Sequence, residues 1–109
     1  MSLDFTLCET IYTDIYSRNI THNLNKMAKE AGIYLALWRP SEDGFVFAED
    51  IIPVLEKGLK DMKERPEHYK KFNSPNGWGT YKHFVPFVEE ILKACKENPT
   101  AKIEVDIWH

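Results

Sequence analysis

The chain has 109 residues, of which 43% are hydrophobic and 28% are charged, and its formal net charge at pH 7 is −3. This length suits one domain, residues 1–109, with a single core, and this composition excludes a disordered chain. The acidic balance argues against general nucleic-acid binding, which usually requires a basic surplus. No apolar run reaches the roughly 18 residues of a membrane span, and no signal-peptide pattern opens the chain, so we expect a cytoplasmic protein that does not enter a membrane.

The sequence carries no catalytic or metal-binding motif. Cys8 and Cys95 are far apart and form no CxxC pair, so we expect two buried thiols rather than a disulfide. The four histidines and two cysteines show no metal-ligand spacing. A glycine-rich phosphate loop, a nucleophile elbow and a paired-carboxylate motif are also missing from the sequence. We therefore predict no catalytic residues, no metal site and no cofactor.

Side chains alternate between the two faces of the chain near both of its ends, a pattern that is typical of strands. Residues 3–16 are rich in β-branched and aromatic types, with Phe5 and Leu7 on one face, which predicts two short strands or one strand with a bulge near Glu9. Residues 102–107 alternate apolar and charged side chains, which predicts a strand with its apolar side chains toward the core. Two terminal strands in so small a domain are expected to pair with each other.

The middle of the chain is helical in pattern. Asn19 or Thr21 can cap a first helix that turns Leu24 and Met27 inward, and Gly32 supplies its stop. A short apolar segment and two longer amphipathic segments follow. We therefore predict an α+β domain, in which a small antiparallel sheet formed by the N- and C-terminal strands packs on a helical middle.

The two longer helical segments form an internal repeat, because residues 41–64 align without gaps on residues 74–97. The identical pairs are Ser41/Ser74, Gly44/Gly77, Pro53/Pro86, Glu56/Glu89, Leu59/Leu92, Lys60/Lys93, Lys63/Lys96 and Glu64/Glu97. The Lys and Glu matches are weak evidence, since any exposed helix uses such residues. If the paired prolines lie in first turns, where proline is harmless, Asp50 caps the first of these helices. A second helix that begins at Thr80 would instead contain Pro86 in its interior.

The segment 72–81, Phe-Asn-Ser-Pro-Asn-Gly-Trp-Gly-Thr-Tyr, is the least helical part of the sequence. Its proline and its Asn76-Gly77 dipeptide predict a tight turn, on which Trp78 and Tyr81 stand as flat side chains. Such a turn either locks two helices together or shapes a binding surface, and both interpretations stay open.

Two further clusters carry polar chemistry. Asn19, His22 and Asn23 would surround a helix start, where free amides either hold an anion or are capped by these side chains. Arg39, above Trp38, either binds a carboxylate or phosphate or pairs with Glu42 or Asp43, and the ion pair is slightly favoured. The candidate ligand-binding residues are Asn19, His22, Asn23, Trp38, Arg39, Asn76, Trp78 and Tyr81.

The chain resembles a family of small uncharacterised proteins found in bacteriophages and, often in prophage-like surroundings, in bacterial genomes. The resemblance rests on YSRNITHNL at 16–24, AGIY at 31–34, ALWRP at 36–40 and FNSPNGWG at 72–79, and it covers most of residues 16–105. It implies a phage or prophage setting, where small acidic proteins bind host factors or signalling molecules, and it supplies no catalytic residues.

The leading hypothesis is a non-enzymatic module that binds a small polar or anionic ligand, with nucleotide-like molecules among the candidates. The alternative is a protein-interaction module in which the same aromatic side chains anchor a host protein. A small enzyme of unknown class ranks third. An unpaired strand edge or an exposed aromatic patch would favour a homodimer.

Trp78→Ala separates a structural turn from a binding turn. We expect the free energy of unfolding to change by less than about 1 kcal/mol while binding is lost, because a contact residue is partly exposed. Thermal unfolding of Trp78→Ala beside Phe45→Ala, the equivalent position of the repeat, is the measurement. A loss of about 3–5 kcal/mol, typical of a buried aromatic truncation, would make Trp78 a core residue and end its binding role.

Overall fold

The two ends of the chain meet in one sheet. The computed structural model describes residues 2–10, 13–75, 77 and 79–108. The strands are β1 (Ser2–Thr10), β2 (Thr13–Thr21) and β3 (Lys102–Trp108). All pairings are antiparallel and the order is β2-β1-β3, so the prediction that the terminal strands pair is confirmed. The N-terminal region forms two strands, and the register of β1 also shifts on both sides of Cys8, next to the expected bulge.

The register places the apolar side chains of β1 and β3 on one face. Leu3, Phe5 and Leu7 are fully buried. They lie opposite Ile107, Val105 and Ile103, which are half-buried and pack against the same core. The other face carries polar pairs such as Thr6 with Glu104. One apolar face requires a cover, and the helices provide it.

The helical middle lies between β2 and β3 in the sequence. Its α-helices are α1 (Asn25–Glu30), α2 (Tyr34–Trp38), α3 (Ala48–Glu64), α4 (Pro66–Lys70) and α5 (Tyr81–Glu97). Single 3-10 turns occur at His22–Leu24 and Pro40–Asp43. Buried side chains from the helices and from β1 form one core cluster. This arrangement confirms the predicted α+β fold.

The first helix begins later than predicted. Asn19 and Thr21 lie on β2 and cannot cap a helix, and Leu24 precedes α1 without any side-chain cap. The Thr21 hydroxyl instead accepts a hydrogen bond from the backbone N–H of Asn23, at 3.4 Å. Pairing with β1 therefore prevails over the local capping preference. Gly32 does end this helical unit, with a φ of 76° that favours glycine.

The repeat is present in the structure. Helices α3 and α5 are both 17 residues long, and both their first and last residues are equivalent in the alignment. The glycines of the preceding turns, Gly44 and Gly77, have φ values of 76° and 77°. Each helix is followed by a residue and a proline, Arg65-Pro66 after α3 and Asn98-Pro99 after α5. The two residues before the prolines, Arg65 and Asn98, have φ/ψ of −127°/55° and −133°/61°. Proline excludes the α conformation from the residue before it, which ends both helices in the same way.

The paired prolines, however, lie inside the helices and not in their first turns. Pro53 is the sixth residue of α3, which begins at Ala48. The prediction that Asp50 stands before this helix as its cap is therefore wrong. Asp50 belongs to the first turn, and its carboxylate accepts hydrogen bonds from the backbone N–H groups of Val46 and Phe47, at 3.0 and 2.9 Å. These bonds lower the pKa of Asp50.

Two ion pairs join α3 to α5 reciprocally. Lys63 reaches Glu89 at 3.1 Å, and Lys96 reaches Glu56 at 3.6 Å. The two lysines are equivalent in the repeat, and so are the two glutamates, so one pair maps onto the other when the helices are exchanged. Each pair joins a lysine near the end of one helix to a glutamate in the middle of the other, which fits an antiparallel arrangement with an approximate two-fold axis. Each pair is half-exposed and contributes at most about 1 kcal/mol.

A hydrogen-bonded cluster fixes α4 on α3. The Arg65 guanidinium donates to both carboxylate oxygens of Asp61, at 3.0 and 2.6 Å. The hydroxyl of the buried Tyr69 donates to the same carboxylate. Hydrogen bonds from Arg65 and Tyr69 lower the pKa of Asp61 to about 2. Burial, followed by the bond to Asp61, raises the pKa of Tyr69 to about 12.

We expect Asp61 to stabilise the fold only where its carboxyl is ionised. Because its folded pKa lies below the unfolded value of about 3.9, its contribution is complete above that pH and disappears as the pH falls toward 2. Asp61→Asn should therefore lower the melting temperature at pH 7, and the difference from wild type should shrink between pH 4 and pH 2. Asp43→Asn, at an exposed carboxyl, is the control. A difference in melting temperature that stays constant between pH 4 and pH 2 would contradict the stabilising role of the ionised Asp61 carboxylate.

Candidate functional site

A polar cleft of about 490 Å³ lies where the start of the first helix meets the turn before α5. One wall comes from the 3-10 turn and α1, and the other from residues 71–75. The described residues that line it are Asn23, Asn25, Lys26, Lys71, Phe72, Asn73, Ser74 and Pro75. The predicted polar cluster around Asn23 and the predicted turn at 72–81 are far apart in the sequence, and in the structure they meet at one cavity.

Gly79 allows the turn to approach the helix start. It is buried, with a φ of 102°, and a Cβ atom built on it would lie 3.0 Å from Cγ2 of Thr21 and 3.2 Å from Cγ of Leu24. Its carbonyl accepts a hydrogen bond from the Ser74 N–H at 3.0 Å, which closes the turn. Only glycine combines this backbone conformation with this close contact.

Tyr81 and Asn73 anchor the other end of the turn. The Asn73 side-chain oxygen accepts a hydrogen bond from the Tyr81 N–H at 2.7 Å, at the first residue of α5. The Tyr81 hydroxyl donates to the Met62 carbonyl on α3 at 2.8 Å. Tyr81 thus ties the turn to both long helices, which is a structural role.

His68 and Phe72 support the floor of the cleft. The edge of the His68 ring faces Phe72, with ring centroids 5.9 Å apart. His68 Nε2 lies 2.9 Å from a carboxylate oxygen of Glu30, the last residue of α1. The contact joins α4 to α1, so the two walls of the cleft are held at a fixed separation.

The electrostatic character of the cleft is positive. Lys26 and Lys71 are exposed at its rim, and none of the described residues that line it is acidic. Neither ammonium group has an ion-pair partner within the described part of the chain. Asparagine amides from both walls add hydrogen-bond donors. A cavity with this lining attracts small anions.

The structure places the predicted ligand residues in several locations. Asn23 lines the cleft, whereas Asn19 lies on the sheet and donates a hydrogen bond to Asp4. Arg39 pairs with Glu42 at 3.3 Å, so the favoured ion pair is confirmed. Asn76 and Trp78 are outside the described residues, and so is the side chain of His22.

The prediction that Trp38 is a ligand-binding residue is wrong. Its side chain is 2% exposed, and it stacks on Tyr34 with centroids 5.6 Å apart and packs against Phe84 at 6.3 Å. A ring enclosed in this way cannot stack on a ligand. The apolar run that contains it is a short helix with its inner face in the core, and this burial was not visible in the local pattern.

The candidate ligand residues included only one of the described residues that line the cleft, Asn23, and left out Asn25, Lys26, Lys71, Phe72, Asn73, Ser74 and Pro75. Lys71 belongs to a basic run whose alternation with acidic residues indicates only an exposed helix face. The available signal was that a lysine lies within three residues of an asparagine in both segments, at 23–26 and at 71–73.

Other site types find little support in the structure. Among the residues that it describes, no group of three or more His, Cys, Asp or Glu side chains could hold a metal ion. No described helix is long and apolar enough to cross a membrane. Both cysteines are buried and neither forms a disulfide, and burial raises the pKa of Cys95 to about 12, which leaves it as an inert thiol at neutral pH.

Gly79→Ala should destabilise the protein more than Gly77→Ala. Both variants place alanine at a positive φ, which costs about 1–2 kcal/mol. Only the Gly79 variant also forces a methyl group against the first helical turn, since nothing lies within 4 Å of a Cβ at Gly77. Urea unfolding of both variants measures the difference. Equal losses would mean that the turn does not rest against the helix start.

Comparisons with family models, with curated proteins and with solved structures found no match for this chain. The functional case for the cleft therefore comes from the residues that line it. Those residues supply two ammonium groups, amides from both walls and one aromatic ring, without an acidic side chain among them.

Proposed function

We propose that the protein is a non-enzymatic binding module that holds a small anionic ligand in the polar cleft. The observation that carries the proposal is the pair Lys26 and Lys71, which border one cavity of about 490 Å³ from two different walls. Volumes of this size are typical of small-molecule sites. The asparagine amides would orient the ligand, and the ammonium groups would supply most of the charge attraction.

The aromatic ring in the lining supports a nucleotide-like ligand. Phe72 is half-buried beside Pro75, so the cleft combines a flat apolar surface with the two lysines. A molecule with a planar ring and a phosphate group would use both features at once. From the family resemblance, we propose a phage–host setting for this activity, and we retain the expectation of a cytoplasmic protein.

A second candidate function, binding of a host protein, is favoured by exposed apolar side chains at the edge of β3. Val46 and Phe47 are 49% and 38% exposed. The Val46 carbonyl accepts a hydrogen bond from the Ile103 N–H at 2.9 Å, which places these side chains next to the sheet edge. Apolar surface beside a sheet edge suits a partner strand, from a host protein or from a second copy of this chain.

Lys26→Ala and Lys71→Ala should each weaken phosphate binding about tenfold, because each removes one charge-assisted contact. We expect AMP and inorganic phosphate, but not adenosine, to shift the NMR signals of Asn23, Asn25 and Asn73. Affinity should also fall as the salt concentration rises. Titration of the three molecules into wild type and variants measures these effects.

Lys93→Ala is the matched control, since this lysine is exposed on α5 and does not line the cleft. Its affinity for AMP should equal that of wild type. Binding of adenosine as tight as that of AMP, or equal losses in all three lysine variants, would contradict an anion site at this cleft.

A further inference from the structure

A second cavity lies at the other end of α1, and none of its described lining residues also lines the polar cleft. It has a volume of about 330 Å³ and opens between the end of α1, α2 and α3. Its lining consists of Lys29, Gly32, Tyr34, Leu35, Ala36, Asp43, Phe45 and Val54. We call it the α2 pocket.

The walls of the α2 pocket are mostly apolar. Leu35 is 39% exposed, although it is a large aliphatic side chain, and Phe45 and Val54 are half-buried. Apolar surface in a concave site releases water when an apolar group enters it. The volume is near the lower end of the range of small-molecule sites, which limits the occupant to a small molecule.

Tyr34 forms a rigid wall of this pocket because three groups hold it. Its ring stacks on Trp38 with an interplanar angle of 10°, and the Lys29 ammonium lies 4.7 Å from its centroid. The guanidinium of Arg39 donates to its hydroxyl at 3.4 Å. The pocket is therefore preorganised, and its ammonium group is placed before any ligand arrives. This role also accounts for the ALWRP motif, whose tryptophan and arginine do not reach the polar cleft.

The α2 pocket carries one charge of each sign. Lys29 and Asp43 both line it, and neither has an ion-pair partner within the described ranges. A fatty or aromatic acid would satisfy only the ammonium group, and an amine only the carboxylate. A ligand that carries both charges next to an apolar group matches the entire lining.

We propose that the α2 pocket binds a free α-amino acid with an apolar side chain. The carboxylate of the ligand pairs with Lys29, its ammonium group pairs with Asp43, and its side chain lies against Leu35, Phe45 and Val54. A peptide N-terminus lacks the carboxylate and a peptide C-terminus lacks the ammonium group, so each would leave one charge of the pocket without a partner.

The test is an NMR titration with leucine, leucinamide and N-acetylleucine. Leucine should shift the signals of Gly32, Leu35 and Val54 and should bind wild type at least about tenfold more tightly than either derivative, because each derivative loses one charged contact. Lys29→Met should remove the preference for leucine over leucinamide. Asp43→Asn should remove the preference over N-acetylleucine.

Two controls separate this proposal from a folding effect and from the polar cleft. Lys29→Arg keeps the cation over the Tyr34 ring and should keep the preference for leucine. Lys26→Ala, in the polar cleft, should leave leucine binding unchanged whether or not that cleft binds anions. The proposal is overturned if leucine leaves the signals of the pocket unshifted, or if leucinamide or N-acetylleucine binds wild type as tightly as leucine.

Discussion

Pairing of β1 with β3 is the constraint on which the other contacts depend. It fixes the two ends of the chain side by side and gives the sheet a single apolar face, which the helices between them must cover. The junction with β3 also positions α3, because the N–H groups of Ala48 and Glu49 donate to the carbonyls of Ala101 and Pro99, at 2.8 and 2.9 Å. Hydrogen bonds to the carbonyls of the segment before β3 thus take the place of a side-chain cap at the start of α3.

Each copy of the repeat lies beside one of the two cavities. Residues 41–45 align with residues 74–78 in the sequence, and each segment precedes one of the two long helices. The first turn contributes Asp43 and Phe45 to the α2 pocket, and the second contributes Ser74 and Pro75 to the polar cleft. The start of α1 lines the polar cleft and its end lines the α2 pocket, so this helix contributes a lysine to each. The two copies of the repeat line their cavities through different positions of the alignment, and the two cavities therefore differ in chemistry.

Much of the fold could be predicted from local pattern. Alternation located the terminal strands, and the pattern of apolar residues predicted two longer amphipathic helices, because both properties depend on backbone geometry within a single element. The register of the repeat was also correct. Its Lys and Glu matches, which look uninformative in the sequence, form the reciprocal pairs between α3 and α5.

By itself, the sequence determined the α+β class, the strand pairing, the two amphipathic helices and the glycines of the turns. Each of these follows from periodicity or from a local steric requirement. Only the tertiary structure decided that Trp38 is in the core, that β2 extends to Thr21 and that Lys26 and Lys71 border one cleft. These facts depend on which distant segments meet, and local propensity does not encode such contacts. The polar cleft is therefore a product of packing, even though both of its walls could be recognised separately in the sequence.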